Sequence, residues 1–104
     1  MDYLELFYKR ISELRAQKGV SARDMSLSLG QSASYINKIE NKRTLPSMQG
    51  FFYICEYFGI TPQEFFDFEN KAPVLTKEFT KKIYKLTPKQ TEHILHLIND
   101  LLQK

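Results

Sequence analysis

Apolar residues recur at spacings of three and four along almost the whole chain, and no segment alternates cleanly with period two. Leu4, Phe7, Ile11 and Leu14 make the first stripe, with Tyr3 and Tyr8 beside it, and Gly19 stops it where a left-handed residue is favoured. Ser21 can cap a second helix, with Val20 and Met25 at the staple positions, and Gly30 ends that helix after Leu29. Ser32 is expected to cap a third, carrying Ile36 and Ile39 on its inner side. Leu45-Pro46-Ser47 breaks the chain and opens a fourth, Met48 to Phe58, ended by Gly59. Thr61-Pro62-Gln63-Glu64 starts a fifth: Thr caps, Pro suits the first turn and Glu closes a capping box.

In residues 69–75 charge and Pro replace periodicity, which predicts a linker. A short helix from about Thr76 to Leu86 should follow, with Phe79 and Ile83 inward. Thr87-Pro88-Lys89-Gln90 repeats the start signal and opens a last helix with a broad stripe of Ile94, Leu95, Leu97, Ile98, Leu101 and Leu102. The expectation is an all-α chain: five helices in residues 1–68, a linker, and a helical pair in residues 76–104.

Composition narrows the classes. A hydrophobic fraction of 42% is that of a folded domain, and 104 residues suffice for one domain with a short appendage. Apolar runs reach only four or five residues, short of the roughly 20 needed to cross a bilayer. The N-terminal stretch lacks a signal-peptide pattern and the lone Cys55 has no partner thiol, so a reducing cytoplasm is expected. Net charge is +3, yet residues 1–70 hold eight Lys/Arg against nine Asp/Glu, while residues 71–104 hold seven against three. Bulk charge therefore does not identify an anionic partner, and local placement has to.

The informative stretch is SARDMSLSLGQSASYINKIENKRTLPS, two short helices joined by a turn on one glycine. Ser26 keeps the first helix slim where the second crosses it, as a helix-turn-helix requires. From LR…KG through LG, S…YI..IE and the T-P-Q-E-F-F ending, residues 4–68 resemble the Cro/repressor-type (XRE-like) DNA-binding domain. That resemblance implies a five-helix, lambda-repressor-like fold, sequence-specific binding of duplex DNA and a symmetric dimer on a palindromic operator. The chain departs from the family at Ala22, where a Gln is common; at Lys42, where a Gly is usual; and at Leu27, a site commonly polar.

On a helical wheel Ile36 and Ile39 share one side, Ser34 and Lys38 point away, and Ala33 and Asn37 lie on an adjoining edge. In a major groove Lys38 can donate to guanine, Asn37 can pair with adenine or a phosphate, and Ala33 can touch a thymine methyl. Lys42, Arg43 and Thr44 match family positions that contact phosphates, and Ser21, Arg23, Ser32 and Tyr35 join that set. Arg15 and Lys18 are weaker candidates on an outer helix face.

Other features have blander explanations. Cys55 falls on a helical stripe and reads as a small buried hydrophobe. Glu92, His93, His96 and Asp100 share a face that could ligate a metal, but it lies opposite the leucine stripe and plain solvation accounts for it. The same holds for Lys77, Lys81, Lys82 and Lys85, whose alternative is non-specific DNA contact. Phe65, Phe66 and Phe68, with the last stripe, offer either core packing or a dimer interface. No phosphate-binding glycine loop or nucleophile–base pair is present, so neither a catalytic step nor a cofactor is expected. The alternative function is an antitoxin-type module whose residues 76–104 bind a partner protein.

Overall fold

The computed structural model describes residues 2–103, which form seven helices and no strand. These are α1 (Tyr3–Lys18), α2 (Ala22–Ser28), α3 (Tyr35–Glu40), α4 (Met48–Phe58), α5 (Pro62–Phe65), α6 (Pro73–Ile83) and α7 (Pro88–Leu102). The chain divides into two compact units, parted between Val74 and Leu75. Most boundaries follow from the capping chemistry. Ser21, Ser47, Thr61 and Thr87 each accept a backbone N–H of the first turn, and both Thr-Pro starts close full capping boxes. Asp2, not singled out by pattern, caps α1 by accepting from the Leu4 and Glu5 N–H groups.

In the first unit one core joins all five helices: Phe7, Ile11 and Leu14 of α1 meet Met25, Ile36, Ile39, Phe51, Ile54, Cys55, Phe58, Ile60 and Phe65. Each such side chain, once buried, contributes on the order of 1.5–3 kcal/mol. Of the three consecutive-looking phenylalanines near the end of this unit, Phe65 is fully buried, Phe68 half-buried and Phe66 exposed at 49%. Cys55 is buried, and the low polarity around it pushes its thiol up to about 11.

Arg10 is the unexpected member of this interior. It sits on α1 one position before Ile11 and is 2% exposed, a charged side chain sealed in an apolar setting. Its guanidinium donates to four main-chain carbonyls: Phe65 and Glu64 at 2.9 Å, Asn70 at 2.7 Å and Asp67 at 3.1 Å. Those oxygens belong to the end of α5 and the turns after it, where helix carbonyls lack internal partners and negative potential gathers. Burial pulls its pKa down, while Glu13 and Asp67 pull the other way. One planar fork thus gathers four main-chain carbonyls from α5 and the turns after it.

Two expectations about the second half change. The segment read as a linker is tied down in part, since Asn70 accepts from Arg10 and the Lys71 carbonyl accepts from the Gln17 amide at 2.5 Å. Helix α6 begins at Pro73, which is buried, rather than near Thr76. Proline explains the early start, because its fixed φ suits a first helical position. In the second unit, Phe79 is 48% exposed rather than inward, and no described side chain from Leu75 onward is fully buried. Two helices are too few to enclose a core, so Ile83, Ile94 and Ile98 are only half-buried.

Replacing Arg10 with Ala should lower stability by about 3–5 kcal/mol, as four main-chain carbonyls lose the guanidinium and the interior loses a large side chain, and Arg10→Lys should restore only part; denaturant midpoints check both. Folded Cys55 keeps its proton to about 11, against 9.0 for a free thiol, so its contribution is full below pH 9.0 and is lost as pH rises to about 11. Denaturation at pH 8 and pH 11 should therefore show a larger alkaline loss for the wild type than for Cys55→Ala.

Candidate nucleic-acid interface

Helices α2 and α3 have only seven and six residues, so their placement depends on side chains from elsewhere. Ser26, fully buried in α2, makes the join. Its hydroxyl donates to the Ala22 carbonyl at 2.7 Å and accepts from the Ile36 N–H at 2.9 Å. That second bond caps α3 from a neighbouring helix. The expected cap, Ser32, lies before the helix; Ser34 occupies the N-cap position and makes no side-chain cap bond. The third helix therefore spans Tyr35–Glu40 and not residues 32–40, with Ala33 and Ser34 in the turn leading into it. The physical reason is that Ser26 already supplies the oxygen an intrinsic cap would offer.

The other end of α3 is held by charge. Glu40 takes a two-pronged bond from Arg15 on α1, Nε to Oε2 at 2.7 Å and Nη2 to Oε1 at 2.9 Å, and Arg15 also donates to the Val20 carbonyl at 3.0 Å. This bond raises the Arg15 pKa further and removes Arg15 from the outer face. Lys18 lies with its ammonium 4.8 Å from the centre of the Tyr57 ring.

With Ile36 and Ile39 fully buried, α3 turns Asn37 and Lys38 to solvent, and Ser34 is exposed beside them; Ala33 is half-buried. Immediately after α3 the chain doubles back: the Lys42 N–H donates to Ile39 and the Arg43 N–H to Lys38, both at 2.9 Å. Lys42 adopts φ 63°, the left-handed conformation, which explains why glycine suits this position. Its ammonium reaches back to Glu5 of α1 at 2.6 Å, and that bond raises its pKa. Arg43 and Thr44 are exposed.

Tyr35 is half-buried and burial raises its phenol pKa. Its hydroxyl rests against the first turn of α4, where a Cβ built on Gly50 would come within 2.8 Å of it and 3.2 Å of the Ser47 Oγ. Glycine there is a matter of space and not of backbone conformation. Ser21 uses its hydroxyl on the Asp24 N–H, whereas Arg23 and Ser32 are exposed. The structure therefore brings Ser34, Asn37, Lys38, Arg43 and Thr44 to the surface of one short segment, while Lys42 and Tyr35 are engaged with α1 and α4. Pattern reading missed the Ser26 hydroxyl and the Arg15–Glu40 clamp. Opposite charges 25 positions apart carry no local signal that they meet.

Away from this surface, His96 and Glu92 approach to 3.9 Å one turn apart on α7. Among the described residues no three His, Cys, Asp or Glu side chains converge, and no helix is long and apolar enough to cross a membrane.

Residues 8–71 match the family model described as a helix-turn-helix domain. That span is well over half of the chain, so the protein belongs to the helix-turn-helix domain family, which supports a DNA-binding regulator. Comparison with curated proteins and with solved structures gives no match.

Ser26→Ala should remove the cap on α3 and leave the Ile36 N–H unpaired, lowering stability by about 1–2 kcal/mol. Amide exchange should show the loss concentrated at α3, with α4 little affected.

Proposed function

We propose that this protein is a transcriptional repressor of the Cro/repressor type, a homodimer that lays α3 in the major groove of a palindromic operator. The observation that supports it most is the division of α3 itself. Ile36 and Ile39 are wholly buried, and the exposed remainder is a short polar set able to reach base edges. In this reading Lys38 donates to guanine, Asn37 and Ser34 contact bases, and Ala33 lies against a thymine methyl. Arg43, Thr44, Arg23 and Ser32 hold the phosphates, joined by Ser21 and Tyr35, and by Lys42 once it exchanges Glu5 for a phosphate. Repression follows from occupation of the operator, without a catalytic step or cofactor, in the cytoplasm. Residues 1–68 bind DNA, 69–75 connect, and 76–104 associate two copies.

The exposed side chains of α7 support association: Leu95, Leu97, Leu101 and Leu102 are all more than half exposed. A 30-residue unit that encloses no core of its own gains stability from a covering surface. The same surface favours a second reading, in which residues 76–104 dock a partner protein as an antitoxin docks its toxin and DNA binding serves autoregulation.

Selection of duplexes from a random pool should return a palindrome whose half-site spacing reports the dimer geometry. Asn37→Ala and Lys38→Ala should each relax preference at one base position, by about 1–3 kcal/mol. Arg43→Ala should weaken all sequences alike and lower the salt slope by about 1. Full operator affinity in an Ala33/Asn37/Lys38 triple replacement would remove α3 from the reading role.

A further inference from the structure

The turn that leaves α3 holds a lysine in a backbone conformation that a side chain resists. Lys42 has φ 63°, left-handed geometry that glycine adopts freely and a Cβ disfavours. The main chain has a structural reason for this shape, since the Lys42 N–H donates to Ile39 and the Arg43 N–H to Lys38. A glycine would close the same turn, so what the lysine adds is its ammonium. That ammonium is already occupied. Nζ donates to Oε2 of Glu5 at 2.6 Å, in an ion pair whose two side chains are each 52% exposed. Asp2, the cap of α1, brings a second carboxylate whose charge acts on the same ammonium.

Glu5 does not need the lysine to be stable, because a carboxylate in the first turn of α1 is favoured by the positive end of the helix. An ion pair this exposed is weak in water and exchanges readily with other anions. Arg43 and Thr44, the next residues of the turn, are exposed beside it. We propose that Glu5 stands in for a DNA phosphate: it occupies Lys42 in the free protein, a duplex has to displace it, and it thereby acts as a brake on duplex affinity. This rests on the reading that lays the turn after α3 on the phosphate backbone, and it adds to that surface a residue of opposite sign. Binding then trades one anion for another at Lys42. The released Glu5 carboxylate stays near the duplex, repels it and regains a counterion. Lys42 consequently contributes less than one full phosphate contact, both to affinity and to its salt dependence.

The test is binding of the full-length chain to a labelled random-sequence duplex, followed by fluorescence anisotropy between about 50 and about 200 mM salt. Glu5→Gln should bind roughly 3- to 10-fold tighter than the wild type at the lowest salt. Its log–log salt slope should steepen by up to about 0.9, the value of one further phosphate contact. A folding defect would weaken binding, so a gain separates the brake from a structural role. Lys42→Gly keeps the turn and removes the cation, and it should weaken Glu5→Gln by more than it weakens the wild type. No gain in Glu5→Gln would overturn the assignment. An equal gain with and without Lys42 would do the same, since it would reflect only the loss of a surface charge. Arg43→Ala distinguishes that failure from failure of the parent reading, because it should weaken binding in every background. If Arg43→Ala also binds like the wild type, the turn after α3 does not lie on phosphates and both ideas fall together.

Discussion

Helix α3 has six residues, roughly half of what a helix needs to persist in water. Its existence therefore depends on anchors outside itself. Ile36 and Ile39 are buried in the core, the Ser26 hydroxyl caps its first turn from α2, and Arg15 holds Glu40 at its last residue. Each anchor acts on the buried side. The opposite side, bearing Asn37 and Lys38, is exposed to solvent. A longer helix would be self-supporting but would not need to be so closely aimed.

The frame that carries these anchors is closed by a second arginine. α1 bears both Arg10 and Arg15, one turning towards α5 and the other towards α3. Arg15 meets a carboxylate; Arg10 meets only carbonyls, at a helix end where partial negative charge is concentrated. In both cases the planar fork fixes direction as well as attraction, which a lysine ammonium would not. α1 thereby links the helix that faces outward to the turns that seal the core.

The second unit obeys a different balance. Its last helix begins well, with a full capping box at α7, yet most of its large apolar side chains stay more than a third exposed. Local signals suffice to start helices. They do not supply the third surface that two helices need to bury a stripe. The exposure of Leu101 and Leu102 is the consequence.

Much of the fold was legible along the chain, because caps and stops act over three or four residues. Ser21, Ser47, Thr61 and Thr87 each cap the helix they were expected to start, and Gly19, Gly30 and Gly59 all take positive φ at helix ends. The inward Ile36/Ile39 pair and the outward polar set were legible for the same reason, since a wheel needs only spacing. Tertiary structure decided what spacing cannot express: that Ser26 and not Ser32 caps α3, that Arg10 enters the interior, and that Lys42 turns to Glu5. It also decided that Phe79 stays exposed, because no local pattern states whether a covering surface exists. Periodicity and capping are properties of neighbours in sequence; hydrogen-bond partners 10 to 60 positions apart become neighbours only when the core has closed.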